Sequence, residues 1–202
     1  IGCKGAKISS TDDISGLKVR GVGAYGKVFG EMGANMVNMS IYDAYQGLDT
    51  GLIDCSQGYS YAVAALKQAE VMDSYTILNW GQVGGLGIFM NKDTFDTLTE
   101  GQQAIIASTG SDMADEFGRM INEANDKAIA SMKEAGVEVS ELPAEERAKL
   151  VESGQKFLGE WVQTADGVGL PGQALLDQYQ ALITKYTEER DTNGYPWDRA
   201  SN

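Results

Sequence analysis

Arg20 stands at the end of a short apolar run, Leu17-Lys18-Val19, and directly before Gly21-Val22-Gly23-Ala24-Tyr25-Gly26. Two chemistries use such a group. In one, a Gly-x-Gly-x-x-Gly loop between a strand and a helix cradles the pyrophosphate of a dinucleotide. In the other, the guanidinium grips a carboxylate through two parallel hydrogen bonds. Free N–H groups and the dipole of the helix that follows also favour an anion there. An ordinary surface ion pair, worth at most about 1 kcal/mol, is the plainest use of an arginine at this position. The dinucleotide fingerprint further calls for an acid at the end of the second strand, to hold the ribose. That stretch ends Asn38-Met39-Ser40, and the nearest acid, Asp43, falls in the next helix. An acid clamp on Arg20 therefore ranks above the dinucleotide reading, and spacing alone leaves it level with the surface ion pair. A nucleotide-binding α/β enzyme domain using the Gly21-Val22-Gly23 loop is the alternative.

Other chemistries are limited by residue types. The chain has no histidine, which removes the commonest general base and metal ligand. Ser-His-Asp triads, Cys-His dyads and His-based zinc sites are excluded, and two cysteines cannot build a four-cysteine site. No metal and no cofactor are expected. Cys3 and Cys55 can pair in an oxidising compartment. Such a bridge closes a loop of about 50 residues, worth roughly 4 kcal/mol in the chain-entropy model; two free thiols is the other outcome. Gln57, Tyr59 and Tyr61 cluster after a strand and can offer hydrogen bonds to a polar ligand or simply cover the sheet. Trp80, between a strand and a glycine-rich segment, can stack on a ligand or enter the core. The acidic pairs Asp12-Asp13 and Glu145-Glu146 read as solvated starts of helices or turns.

These residues need a scaffold, and the pattern supplies an alternating one. Residues 17–19 read as a strand. Tyr25, Val28, Phe29 and Met32 follow at helical spacing, and Gly33 closes that helix. Residues 36–39 suit a second, buried strand, Ser40 to Asp43 a helix start, and residues 52–54 a third strand. Residues 61–72 read as helix, and residues 75–78 and 86–90 as strands. The alternation predicts an α/β fold with a mostly parallel sheet. Beyond it the chain is mainly helical. Thr99 and Gln102 have capping-box spacing, and one long helix runs on to Gly136. Residues 137–139 form a brief strand. Pro143 and Pro171 open two further helices. The Met and Phe stripes of these late helices are expected in the core. Tyr195 and Trp197 are expected to anchor a polar tail.

At 202 residues the chain can hold one large domain or two small ones. Its 43% hydrophobic and 22% charged residues are ordinary for a soluble globular protein. A net charge of −13 argues against nucleic-acid or anionic-membrane partners. No apolar run approaches the roughly 20 residues of a membrane span. The opening Ile1-Gly2-Cys3 reads as mid-pattern, as in a processed or truncated piece.

The run Asp13-Ile14-Ser15-Gly16-Leu17-Lys18-Val19-Arg20 resembles the D-(L/I)-x-G-L-K-(I/V)-R signature of the solute-binding proteins of TRAP (tripartite ATP-independent periplasmic) transporters. Gly33-Ala34-Asn35 matches that family's G-A-N. Residues 39–54, Met-Ser-Ile-Tyr-Asp-Ala-Tyr-Gln-Gly-Leu-Asp-Thr-Gly-Leu-Ile-Asp, resemble its M-P-x-x-E-V-Y-x-A-L-Q-T-G-V-V-D. Asn91-Lys92 and residues 133–139 also follow the pattern. The resemblance implies a type II periplasmic-binding fold of two α/β lobes, flanked by helices, with one long helix, a helical C-terminus and the N-terminal lobe largely missing. By it, residues 1–85 and 126–202 form the C-terminal lobe, and residues 86–125 cross over to the other. It implies a monomeric periplasmic protein, its signal peptide removed. That protein is no enzyme: it closes on a small carboxylate and delivers it to membrane permease subunits. The family's carboxylate-binding arginine falls on Arg20, its contact after M-P on Ile41, its polar contacts on Gln57, Gly58 and Tyr59, and its hinge-side contact on Trp80. Cys55, Ser40 and Gly58 depart from the family's usual glycine, proline and asparagine.

Overall fold

The computed structural model describes residues 1–81 and 87–199, with the backbone alone for Ser111. It resolves into two compact units, one of Ile1–Gly84 with Ala124–Trp161 and the other of Gly85–Glu123 with Val162–Asn202. Residues 162–202 thus cluster with the segment that follows Gly84, whereas the family resemblance assigns them to the same lobe as residues 1–85.

The first unit is built on a six-stranded sheet with strands β1 (Gly2–Cys3), β2 (Lys18–Arg20), β3 (Asn35–Met36), β4 (Cys55–Ser56), β5 (Ser74–Ile77) and β6 (Glu138–Glu141). The spatial order is β3-β2-β4-β1-β5-β6. The pairs β2–β3, β2–β4 and β5–β6 are parallel, while β1 runs antiparallel to both β4 and β5. The parallel pairs are joined by helical crossovers, as parallel strands require. Helix α1 (Gly23–Glu31) leads from β2 to β3, α2 (Ala44–Asp49) from β3 to β4, and α3 (Ser60–Ala65) follows β4. Two apolar clusters hold the unit. One gathers Cys3, Ile14, Val19, Val28, Phe29, Cys55 and Leu150; the other gathers Ala44, Leu48, Ile53, Val63, Met72, Tyr75 and Met132.

Several elements differ from the sequence reading. The second strand is the two-residue β3 at the sheet edge, exposed rather than buried. The third forms at Cys55–Ser56 instead of residues 52–54, and Leu52 is 56% exposed, because Ile53 alone of that trio turns into the core. The helix expected over residues 61–72 stops at Ala65, where Lys67 takes a left-handed φ of 56° before a 3₁₀ turn, Gln68–Glu70. Residues 87–90 form no strand, and their side chains Ile88 and Phe89 are exposed; Leu86 lies outside the described residues. Strand β1 was not expected at all.

The second unit contains helix α4 (Lys92–Asp96), the first part of α5 (Glu100–Glu134), the end of α6 (Ala144–Gly167) and α7 (Gly172–Asn193). The capping box is formed, with Thr99 N–H donating to Gln102 Oε1 at 2.9 Å and Gln102 N–H to Thr99 Oγ1 at 3.4 Å. Asn91 caps α4 by accepting from Thr94 N–H at 3.1 Å. Tyr195 and Trp197 stack on each other, and the Trp197 ring closes over Gly118 of α5. The apolar stripes are not core here. Met113, Phe117 and Met120 of α5 and Tyr179, Ile183 and Tyr186 of α7 are exposed. Helical periodicity marks which face is apolar; it does not supply the element that covers it.

Candidate functional site

Arg20 is the last residue of β2, at the carboxyl end where ligands of open α/β sheets bind. It is 6% exposed. Its Nε donates to the Met39 carbonyl at 3.1 Å and its Nη1 to the Gln57 carbonyl at 2.7 Å. Among the described residues no carboxylate forms an ion pair with it. Burial pulls its pKa below the ordinary arginine value, yet the group stays charged at any physiological pH. A buried guanidinium held only by neutral carbonyls is an uncompensated positive charge, and such charges are costly unless an anion joins them.

The glycine loop gives this arginine its setting. A Cβ on Gly26 would lie 3.1 Å from the Gly21 carbonyl oxygen, and one on Gly21 would lie 3.3 Å from the Gly26 Cα and from the Phe29 ring. The glycines therefore let α1 start pressed against the end of β2. The N-cap of α1 is Val22, with no side-chain cap, so the first-turn N–H groups stay open beside Arg20.

Strand pairing brings the other residues in. Arg20 lies opposite Ser56 on β4, and Gln57 N–H donates to the Arg20 carbonyl at 2.8 Å, extending the ladder by one residue. Gly58 follows; its carbonyl accepts from the Tyr75 hydroxyl at 2.9 Å, and a Cβ there would sit 3.5 Å from Ile41 Cδ1. Ile41 is half-buried at the head of a 3₁₀ turn that Ser40 caps, and its carbonyl accepts from Gln68 Nε2 at 3.2 Å. Tyr59 stacks on Tyr61, with ring centroids 5.5 Å apart and planes 13° from parallel. Behind them, Asn125 on α5 accepts from the Ser60 hydroxyl and from Tyr61 N–H, capping α3 from a distant part of the chain.

Trp80 shares no hydrogen bond or ring contact with Arg20 among the described residues. It is half-buried, packs edge-on against Tyr25 at 4.6 Å, and joins the cluster of Val19, Val28 and Phe29. Tyr25 links it to the rest. The Tyr25 hydroxyl donates to the Gly81 carbonyl, and its pKa is raised to about 12, by burial first and by the nearby Tyr59 second. Arg20, Ile41, Gln57 and Gly58 thus meet through direct contacts, Tyr59 adjoins them along the chain, and Trp80 stands behind Tyr25. Sequence reasoning missed Tyr25 as part of this wall because it opens the apolar stripe of α1. It missed Ser56, Gln68 and Asn125 because no spacing marks them.

Cys3 and Cys55 form a disulfide, directly opposite each other across β1 and β4 and fully buried. Among the described residues no group of three or more His, Cys, Asp or Glu side chains is gathered as a metal ion would require. None of the described helices is long and apolar enough to cross a membrane.

The family model DctP, bacterial extracellular solute-binding protein, family 7, matches residues 3–164. The chain belongs to this family. It is a family of solute-binding proteins and not of enzymes, which sets aside the nucleotide-using alternative. Among relatives, the C4-dicarboxylate-binding periplasmic protein DctP of Rhodobacter capsulatus is 31% identical over 145 residues, covering 70% of this chain and 43% of its own. The 2,3-diketo-L-gulonate-binding periplasmic protein YiaO of Escherichia coli (strain K12) is 31% identical over 140 residues, covering 66% of this chain and 41% of its own. The fold matches a TRAP solute-binding protein from Rhodoferax ferrireducens T118, solved with copurified benzoate, at a TM-score of 0.76 and 23% identity, over 93% of this chain and 60% of that one. A TRAP periplasmic solute-binding protein from Desulfovibrio salexigens DSM2638 matches at 0.77 and 20%, over 92% of this chain and 58% of that one. The α/β architecture of a TRAP periplasmic-binding protein is thereby established. The chain spans less than half the length of the curated relatives it matches.

Proposed function

We propose that this chain belongs to a periplasmic solute-binding protein that captures a small organic acid and delivers it to a TRAP-type membrane permease. The observation that carries the reading is Arg20: buried, charged, held by two carbonyls and without an acidic partner among the described residues. Its setting at a strand end beside an open helix N-terminus suits one ligand carboxylate. Ile41, Gly58, Tyr59 and, through Tyr25, Trp80 supply the apolar and aromatic wall for the rest of the ligand. The relatives' stated ligands, C4-dicarboxylate and 2,3-diketo-L-gulonate, and the benzoate found with one structural neighbour, all fit an acid.

In this reading residues 1–85 and 126–202 belong to the C-terminal lobe, residues 86–125 cross to the other lobe, and the protein works as a monomer that closes on its ligand. Thermal-shift screening of carboxylic acids tests it. Benzoate, succinate, malonate and glucuronate are the first probes, with benzamide as the uncharged control. An acid that raises the unfolding temperature in proportion to the logarithm of its concentration supports the reading through mass action. Equal shifts with benzamide and benzoate, or no shift with any acid, would refute it.

A further inference from the structure

Gln68 is a costly residue for the place it occupies. It is 0% exposed, and its neighbour Ala69 packs against the second apolar cluster. Its Nε2 donates to the Ile41 carbonyl at 3.2 Å, while its Oε1 has no partner among the described residues. A buried acceptor left unpaired costs more than one made bond returns. The turn that Gln68 heads also opens on Lys67 at a left-handed φ of 56°, which residues other than glycine adopt at a cost. Nor does the Ile41 carbonyl depend on the amide: it already accepts from Ala44 N–H, which closes the 3₁₀ turn. For folding alone, an apolar side chain of the same length would serve position 68 as well or better.

What the amide does hold is a segment that Arg20 also holds. Arg20 Nε donates to the Met39 carbonyl at 3.1 Å, and Gln68 Nε2 donates to the Ile41 carbonyl two residues on. Met39-Ser40-Ile41 is thus strung between two side chains, one at each end. The Ile41 side chain in turn borders Gly58, where a Cβ would lie 3.5 Å from its Cδ1. Gly58 follows Gln57, whose carbonyl takes the other guanidinium bond at 2.7 Å. These contacts close into a ring that begins and ends on Arg20, and Gln68 braces the ring at Ile41.

We propose, resting on the acid-binding reading above, that Gln68 is a positioning residue of the acid site, holding the Ile41 end of the Met39–Ile41 segment while Arg20 holds the other. Gln68 touches no ligand in this arrangement. It fixes where the Ile41 side chain stands in the wall, and it steadies the carbonyl that aims the guanidinium. A site whose outer supports are missing is present but loose. The expected signature is a split: loss of the amide leaves stability near the parent's and weakens binding.

The test uses Gln68→Met, unbranched and close in length, with Gln68→Leu as a second apolar variant. Melting without ligand should place each within about 3 °C of the parent, or above it. Titration calorimetry with benzoate, succinate, malonate and glucuronate should show affinity lower by about tenfold for each acid that the parent binds. That is the lower end of what loss of an outer support costs a metal site. A double-mutant cycle checks the route. In an Ile41→Ala background the effect of Gln68→Met should shrink to about twofold or less, because the side chain it positions is gone. Unchanged affinity in a folded variant would overturn the inference and leave the acid-binding reading intact. An undiminished loss in the Ile41→Ala background would overturn the route through Ile41. A melting temperature more than about 10 °C lower in both variants would assign Gln68 to the fold instead. A parent that binds none of the acids would refute the acid-binding reading, and this inference with it, before any variant is made.

Discussion

Arg20 and Gln57 hold each other by main chain and side chain at once: the Gln57 amide donates to the Arg20 carbonyl at 2.8 Å, and the Arg20 guanidinium returns a bond to the Gln57 carbonyl at 2.7 Å. The site loop and the charge it surrounds are therefore one rigid unit. Removing the charge should separate binding from stability. Arg20→Met loses two bonds to carbonyls but also an unpaired buried charge, and these effects oppose each other. Its unfolding temperature without ligand should move by less than about 4 °C, equivalent to about 1 kcal/mol or a little more for a chain of this size. Its affinity for acids should fall at least a hundredfold. A fall of more than 10 °C in a melting experiment would mean that Arg20 serves the fold instead.

The Cys3–Cys55 bridge, 52 residues apart in sequence, limits the unfolded chain. Replacing both cysteines by alanine should cost about 2–5 kcal/mol and lower the unfolding temperature by roughly 5–15 °C. Paired calorimetric melts of parent and double variant measure this. Equal melting temperatures would show that β1 is held by packing alone.

Acid should loosen the anchorage of α6. Glu146 accepts from Thr11 N–H and Thr11 Oγ1, both at 2.8 Å, and from Lys149 Nζ at 2.6 Å. The Lys149 bond first, and then the two Thr11 bonds, hold its pKa down to about 2. A carboxylate with a depressed folded pKa stabilises the fold above its unfolded pKa, near 4.5, and that contribution is lost as pH falls from about 4.5 to about 2. Glu146→Gln should be less stable than the parent at pH 7, and the gap should close across that window. Parallel stability–pH curves for the two proteins would contradict the assignment.

Two helix-interior glycines should respond oppositely to alanine. Around Gly159 in α6 a Cβ would meet nothing within 4 Å, so Gly159→Ala should gain about 0.5–1 kcal/mol from helix propensity. A Cβ on Gly118 would reach the Trp197 ring at 2.9 and 3.1 Å. Gly118→Ala should expel that ring, giving a red-shifted tryptophan emission and no net gain in stability. An unshifted spectrum would show that the ring slides aside within its seat.

Much of the site was readable because strand ends, glycine loops and helix starts are local. The step from Leu17 through Arg20 to Gly26 needed only a short apolar run, an arginine and three glycines, and the structure forms β2, Arg20 and α1 there. Partners that arrive from afar were not readable. Strand β1 has two residues and no periodicity; it exists because Cys3 finds Cys55 and Ser74 on either side. Ser56 gave no signal, since its place opposite Arg20 is a fact of register. The exposed stripes of α5 and α7 mark the same boundary: Phe117 and Ile183 have helical spacing, but burial depends on a neighbour that spacing does not name.

Among the described strands, the antiparallel β1 lies between two parallel blocks of the sheet, β3-β2-β4 on one side and β5-β6 on the other. Its two seams are unequal. Toward β4 it is covalently bonded through Cys3 and Cys55; toward β5 it is held by hydrogen bonds such as Asp73 N–H to the Cys3 carbonyl and Thr76 N–H to the Ile1 carbonyl, both 2.8 Å. The sheet thus has a built-in parting line. If that seam opens, the disulfide keeps β1 with β4, and the Arg20–Gln57 bonds can outlast the separation of β5 and β6.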